Sequence, residues 1–264
     1  MTQSLGRVHT QIDGPIGWIV FDNPGRHNAM SVAMWEAIPA AVDALEANPQ
    51  VRVIVLRGAG DQAFVSGADI SQFDQVRDTV EANQRYEAMG NTGMMKIADC
   101  SKPTIAMLQG WTLGGGVAIT LNCDLRIADD TMRFGIPAAR LGIGYRWPGI
   151  KKLVDTVGGP NAREIFLTGR RFTAQDALRM GYVSRVVAKG ELEAAVRAEC
   201  AILAANAPLT MASVKIAIDE ILRAGPQIDA RRIEAATQRA YASEDFIEGR
   251  RAFMEKRSPV FKGR

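Results

Sequence analysis

Short runs of apolar residues recur along the chain, separated by segments of mixed character. They are rich in β-branched residues, and such short runs predict strands. Their near-continuous apolar character further suggests buried, largely parallel pairing. The predicted strands are GWIVFD (17–22), VRVIVLRG (51–58), PTIAMLQG (103–110), LRIAD (125–129) and YVSRVV (182–187).

The segment between the first two strands has a different period. In residues 31–49 apolar side chains recur at Trp35, Ile38 and Val42, which is the spacing of a helix with one buried face. Ser31 is a suitable N-cap for that helix, because its hydroxyl can accept a hydrogen bond from a free backbone N–H. Strands alternating with helices predict an α/β fold.

The second half of the chain is predicted to be mostly helical. We expect a core domain over residues 1–200, followed by a helical region over 201–264 that packs on another subunit. The predicted helices are 115–123, 149–157, 161–169, 174–181, 190–206, 208–224, 226–242 and one that starts at Ser243.

Composition narrows the class of protein. The 264 residues are 47% hydrophobic and 23% charged, as in ordinary globular proteins, and the net charge of +3 is too small to indicate nucleic acid binding. No apolar run is long enough to span a membrane, and the N-terminus lacks the apolar core of a secretory signal. Three separated cysteines and two histidines predict neither disulfides nor a metal site. We expect a cytoplasmic protein without a metal or a tightly bound cofactor.

Two glycine-containing loops follow predicted strands, AFVSGADI (63–70) and GWTLGGGVA (110–118). The free N–H groups at a helix start favour negative charge, and glycine allows a ligand to approach the backbone closely. Two such N–H groups directed at one point form an oxyanion hole. Either loop alone is equally explained by a simple turn, and neither matches a phosphate-binding or dinucleotide-binding motif.

The order of several motifs is more specific than any one loop. Along the chain come NPGRHNAMS (23–31), AFVSGADI, GWTLGGG, NCDLRIA (122–128), FGIPAARLGIG (134–144), LTGRRFTAQDALRMGYVSRVV (167–187) and AFMEKRSPVFK (252–262). In the order and spacing of these motifs the chain resembles the crotonase (enoyl-CoA hydratase/isomerase) family over nearly its whole length. The resemblance implies a core of repeated ββα units, a trimer or hexamer, and an acyl-CoA substrate.

The same resemblance implies roles for individual residues. It places the two oxyanion N–H groups on Ala68 and Gly115, with Gly114 beside them, and the nucleotide end of CoA near Phe253 and Lys256. Lys256 is equally explained as part of a solvated helix face. The implied path of CoA further includes Arg26, Asp69, Ile70 and Ser71.

The chain departs from hydratase members of the family at both catalytic carboxylates. Where those members carry two glutamates, this chain has Ala118 and Ala138. A methyl group transfers no proton, and acid–base help is typically worth about 10²–10⁴-fold in rate. We therefore expect the oxyanion hole to be retained and ordinary hydratase activity to be severely weakened.

Tyr145 is the best remaining candidate near the acyl carbon. Decarboxylase-like members, such as methylmalonyl-CoA decarboxylase, are similar in carrying a tyrosine there. A core or interface tyrosine is the alternative. Its neighbour Arg146 is a candidate partner for a substrate carboxylate or simply solvated. Tyr86, Met89, Met94 and Met95 fall where relatives form the acyl pocket, although the methionines equally suit plain core.

The sequence thus predicts an acyl-CoA enzyme, a lyase, that stabilises a thioester enolate. Decarboxylation of a malonyl-type acyl-CoA is the favoured reaction. The alternatives are a 2-enoyl-CoA hydratase that uses other groups and a non-catalytic acyl-CoA-binding protein. The expected partner is the acyl-CoA itself, with no nucleic acid and no membrane, and the expected assembly is a homotrimer or homohexamer.

Overall fold

A computed structural model describes residues 6–72, 79–206, 208–223, 242, 244–257 and 259. The helix predicted over 226–242 lies almost wholly outside these residues. No helix in the described part of the chain is both long and apolar enough to cross a membrane.

Within the described residues, ten strands form two sheets. The larger sheet has six strands in the order β1-β2-β3-β5-β7-β10, in which β1 and β2 are antiparallel and all other neighbours are parallel. These strands are β1 (Arg7–Asp13), β2 (Ile16–Asp22), β3 (Val53–Gly58), β5 (Thr104–Leu108), β7 (Leu125–Asp129) and β10 (Arg185–Val187).

The smaller sheet is built from strands of two or three residues. Its order is β4-β6-β8-β9, with β4, β6 and β8 parallel and β9 antiparallel to β8. Along the chain, a strand of the large sheet is followed by one of the small sheet and then a helix, so the ββα unit repeats. The strands are β4 (Ala63–Val65), β6 (Trp111–Leu113), β8 (Arg133–Gly135) and β9 (Phe172–Thr173).

Helices follow the strands and dominate the C-terminal part. They are α1 (Val32–Ala47), α2 (Val80–Ala98), α3 (Gly115–Thr120), α4 (Trp147–Thr168), α5 (Ala174–Arg179), α6 (Leu192–Ala205), α7 (Pro208–Arg223) and α8 (Glu244–Met254). Short 3₁₀ turns lie at Pro24–Arg26, Ile70–Gln72 and Pro137–Arg140.

The strands β2, β3 and β5 of the large sheet are buried on both faces, which explains their continuous apolar sequences, whereas the edge strand β1 is mostly exposed. In β2, Ile19 and Phe21 belong to the core shared with α1 and the small sheet, whereas Trp18 and Val20 face a second core. That second core is closed by α6. The domain boundary predicted at residue 200 lies inside α6, and the division into two regions stays a prediction.

The start of α1 confirms the predicted cap. Ser31 has an extended backbone, and its hydroxyl accepts a hydrogen bond from the N–H of Met34 at 3.3 Å. The face of Trp35, Ile38 and Val42 is buried, as the spacing indicated. This helix carries Trp35 to the candidate site described below.

The strand predicted over 182–187 needed correction, because it is limited to β10. The two helices predicted over 149–157 and 161–169 agree with α4, which consists of two helical stretches separated by a kink at Gly158, whose φ is 76°. We did not predict α2, β1 or the small sheet. Strands of two or three residues are too short to show a period, and α2 has a mixed polar surface.

Candidate active site

Two loops meet where the parallel strands β4 and β6 end. The pairing sets Ala63 opposite Trp111 and Val65 opposite Thr112, so the chain leaves both strands at the same edge. The loops touch just beyond it, since a Cβ built on Gly67 would lie 3.5 Å from the carbonyl oxygen of Leu113. Parallel pairing thus brings together the two glycine-containing segments.

The N–H of Ala68 points away from the segment beside it. Met30 donates its N–H to the carbonyl of Gly67 at 2.8 Å and accepts the N–H of Asp69, also at 2.8 Å. In a parallel pair the residue between such neighbours directs its own N–H to the opposite side. Among the described residues, no hydrogen-bond acceptor engages the Ala68 N–H.

Gly115 is the first residue of α3, so its N–H has no acceptor within the helix. The preceding N–H, that of Gly114, donates to the carbonyl of Gly135 at 2.9 Å, and the first bond of the helix runs from Ala118 to Gly114. A Cβ built on Gly115 would lie 3.9 Å from the carbonyl carbon of Gly67. The N–H groups of Ala68 and Gly115 therefore belong to adjoining stretches of backbone.

The glycines around this point are required by geometry. Gly114 has φ of 49° and ψ of −107°, a conformation that strains any residue with a side chain. At Gly116 a Cβ would lie 2.2 Å from the carbonyl oxygen of Val65, so α3 starts in direct contact with β4.

A cavity of about 1200 Å³ opens beside the two loops. Several of the predicted site residues line it together: Ala68, Ile70, Gly114, Gly115, Ala118, Ala138, Tyr145 and Phe253. Arg26, Asp69, Ser71 and Lys256 are not among its lining residues. Of the residues predicted to form an acyl pocket, Tyr86, Met94 and Met95 line the cavity, whereas Met89 packs against the core.

Arg26, Asp69 and Ser71 form a polar cluster behind the loop. The Asp69 carboxylate accepts hydrogen bonds from Arg26 Nη1 at 2.7 Å and from the Ser71 hydroxyl at 2.7 Å. It also accepts the N–H of Ser71 at 3.1 Å. In this structure these three side chains hold the loop that carries Ala68.

The two alanines predicted to stand at the hydratase glutamate positions both line the cavity. Ala118 is in the first turn of α3, and Ala138 is a buried residue in the 3₁₀ turn after β8. Because β6 and β8 are parallel neighbours, both alanines reach the same cavity. Neither carries a group that can transfer a proton.

Tyr145 lies on the wall of the cavity with its ring held in place. The ring packs edge-on against Phe166, with centroids 4.9 Å apart and an interplanar angle of 64°. Its other edge faces Gly149, where an added Cβ would lie 3.1 Å from Cε1. Packing on both sides limits the directions that the phenol can take.

The structure also places two residues of α2 that sequence reasoning did not assign to chemistry. Glu87 lines the cavity and forms an ion pair with Arg146, which is therefore bound within the protein. Tyr86 accepts a hydrogen bond at 2.9 Å from Nε1 of Trp35. The Trp35 ring in turn borders Gly115, since a Cβ there would lie 3.3 Å from Cζ2.

Helix α8 closes the far wall of the cavity. Gly249 packs directly on the backbone of Leu141, where a Cβ would approach within 2.2 Å of the carbonyl oxygen. Phe253 follows on the next turn and is half exposed. Lys256 lies just beyond the helix with φ of 53° and is exposed.

Basic side chains outnumber acidic ones in the described lining of the cavity, and carboxylates outside the lining pair with Arg170 and Arg257. Its described lining includes six arginine or lysine side chains and one carboxylate. The basic residues are Arg140, Arg146, Lys152, Arg170, Arg171 and Arg257. An excess of positive charge around a cleft attracts negatively charged ligands.

Comparison with known proteins decides the family. The family model described as enoyl-CoA hydratase/isomerase matches residues 11–264. The chain belongs to the enoyl-CoA hydratase/isomerase family. The fold predicted from the resemblance is thereby confirmed, because solved structures of the family share it over nearly the whole chain.

Relatives within the enoyl-CoA hydratase/isomerase family differ in their reactions. The chain is 30% identical to the short-chain-enoyl-CoA hydratase of Clostridium acetobutylicum over 96% of each chain. It is 33% identical to the carnitinyl-CoA dehydratase of Salmonella enteritidis over the whole of both chains. The crystal structure of methylmalonyl-CoA decarboxylase complexed with 2S-carboxypropyl-CoA is 29% identical, with a TM-score of 0.90 over 99% of this chain and 100% of that one.

Proposed function

We propose that the protein binds an acyl-CoA and decarboxylates a malonyl-type thioester, with the enolate oxygen held by the N–H groups of Ala68 and Gly115. The observation that carries the proposal is the combination of two adjoining backbone N–H groups with a cavity whose hydratase positions are Ala118 and Ala138. Each donor of an oxyanion hole is worth about 10²–10³-fold in rate.

Decarboxylation of a malonyl-type thioester requires few catalytic groups, and this site offers a candidate for each. The bond between C2 and the carboxylate breaks, its electron pair passes into the enolate, and CO₂ leaves. A proton must then reach C2 to give the shorter acyl-CoA. Tyr145 is the proposed proton donor or carboxylate-orienting group, because it borders the same cavity and its ring is fixed by packing. Similarity to methylmalonyl-CoA decarboxylase supports this choice.

The remainder of the CoA is proposed to run along the loop of Ala68. Ile70 and Phe253 line the cavity on its route. Arg26, with Asp69 and Ser71, is proposed to serve the phosphate end, and Lys256 the nucleotide end. These assignments rest on the family resemblance.

A substrate panel tests the reaction. Malonyl-CoA, methylmalonyl-CoA, crotonyl-CoA and a β-ketoacyl-CoA are incubated with the protein, and CO₂ release, hydration and thiol release are followed. We expect CO₂ from a malonyl-type thioester and only slow hydration. Fast hydration of crotonyl-CoA would overturn the reasoning from the two alanines, and binding without any turnover would favour a non-catalytic acyl-CoA-binding protein.

Tyr145→Phe tests the assisting group. We expect CO₂ release to fall by about 10²-fold or more, as for loss of an acid–base group. Tyr182→Phe is the matched control, because that tyrosine is fully buried outside the cavity lining and its hydroxyl contacts Thr120. Unchanged turnover in Tyr145→Phe would remove Tyr145 from the mechanism.

The C-terminal region is proposed to form a trimer or hexamer contact. Apolar side chains of α7 are exposed in the single chain, with Val214 at 50%, Ile216 at 65% and Ile218 at 51%. Burying such a face between subunits would remove it from water. Light scattering after size exclusion measures the assembly, and a monomer would refute this part of the proposal.

A further inference from the structure

Helix α2 presents one polar face to the cavity. Gln84, Glu87 and Asn91 recur at intervals of three and four residues, so they lie along one side of the helix, and all three line the cavity. Glu87 is the only carboxylate that the described lining residues contribute. It occupies neither of the positions where hydratase members carry their glutamates.

We propose that Glu87 is an acid–base catalyst that removes and returns the proton at C2 of a bound acyl thioester. The inference rests on the proposed acyl-CoA site and adds a proton-transfer activity to it. In the step, the C2–H bond breaks, its electron pair forms the enolate, and the proton bonds to the Glu87 carboxylate. The reverse step returns to C2 a proton that has exchanged with water.

The position of α2 brings Glu87 to the cavity that Ala68 and Gly115 also line. Gly93 of α2 packs against Ile38 of α1, where an added Cβ would lie at 3.3 Å, so the two helices approach closely. Tyr86, the residue before Glu87, is hydrogen-bonded to Trp35, whose ring borders Gly115. A short series of contacts therefore connects Glu87 to the helix start that carries one oxyanion N–H.

The ion pair with Arg146 fixes the carboxylate on its other side. Arg146 precedes α4 and follows Tyr145, so the pair joins α2 to the wall that carries the tyrosine. Side-chain exposures of 20% for Glu87 and 33% for Arg146 show that the pair is largely shielded from water. A glutamate is ordinarily ionised at neutral pH and can then accept a proton.

Proton exchange and decarboxylation make opposite demands on this residue. Exchange needs a base, whereas loss of CO₂ does not. A malonyl carboxylate bound near Glu87 would be repelled by it. Because exchange needs the base, Glu87→Gln should abolish it.

The experiment follows deuterium uptake at C2 of butyryl-CoA in D₂O by mass spectrometry. We expect exchange with the wild-type protein and a loss of about 10²-fold or more in Glu87→Gln. Glu81→Gln is the matched control, because Glu81 lies on the same helix in an exposed position. Thermal unfolding of each variant verifies that the fold is retained.

Exchange in Glu87→Gln within twofold of the wild type would overturn the role of Glu87, as would a wild-type protein that shows no exchange. CO₂ release from malonyl-CoA, measured on the same preparations, separates the two proposals. Release without exchange would sink the inference and leave the decarboxylation proposal standing. Exchange that depends on Glu87, without any CO₂ release, would support the inference and refute decarboxylation.

Discussion

Gly116→Ala is the most direct test of the proposed oxyanion hole. A Cβ at this position would lie 2.2 Å from the carbonyl oxygen of Val65, and real Cβ atoms essentially never approach closer than 3.0 Å. The obstacle is strand backbone, which cannot rotate away as a side-chain end does. The start of α3 must therefore move by at least the difference between these distances, 0.8 Å.

The neighbouring N–H of Gly115 must move with the helix. A misplacement of about 1 Å in an active site can cost about 10²-fold in rate, or about 2.7 kcal/mol of transition-state stabilisation. Forcing an extra methyl group into a packed region typically costs about 1–3 kcal/mol of folding stability. We expect both effects in Gly116→Ala.

The assay compares kcat for CO₂ release from the best malonyl-type substrate with the unfolding free energy from urea titration. Gly25→Ala is the control, because a Cβ there meets nothing within 4 Å. Wild-type kcat in a stably folded Gly116→Ala protein would refute the reasoning. It would show either that the Gly115 N–H is not used or that α3 does not abut β4.

Three further predictions follow from particular contacts. Replacing Ala118 and Ala138 together by glutamate should raise the rate of crotonyl-CoA hydration by about 10²-fold or more. The double variant should also be less stable, because Ala138 is buried. An unchanged hydration rate would contradict the assignment of those positions. Burial raises the pKa of the Cys123 thiol to about 12, so a thiol reagent at pH 8 should modify it only after unfolding, and rapid labelling of the native protein would contradict this burial. The Asn28 side chain is 1% exposed, and its amide donates hydrogen bonds to two backbone carbonyls. Asn28→Ala should therefore lower the unfolding free energy, measured by urea titration, by about 1–3 kcal/mol. An unchanged value would show that those carbonyls find other partners.

The sequence was sufficient to predict those elements whose own residues show a local pattern, such as a helical period or a cap. The cap at Ser31 and the buried face of α1 follow from residue types and helical spacing, because a helix satisfies its hydrogen bonds within one segment. The strand over 125–129 was predicted with its observed bounds. The vacancy of both hydratase carboxylates was inferred from the motif resemblance and needed no coordinates.

The small sheet shows why other parts of the fold could not be predicted from the sequence. Strands β4, β6 and β8 have three residues each, and their existence depends on partners more than 20 residues away in the sequence. Their parallel register is what brings the segments of Ala68, Gly115 and Ala138 to one edge. No local period encodes that register, because hydrogen bonds between strands form only after the chain has folded.

Glu87 shows that the same holds for a candidate catalytic residue, whose place in the site depends on the tertiary structure. In the sequence it is one of many charged residues on a helix with a mixed polar surface, and nothing in its neighbours distinguishes it. The packing of α2 on α1 through Gly93 turns it toward the cavity, and the pair with Arg146 holds it there. The sequence by itself determined the α/β class, the first helix and its cap, and, through its motifs, the family; the missing carboxylates stay a prediction from the same motifs. Only the tertiary structure decided which side chains share one cavity, since that depends on contacts between segments far apart along the chain.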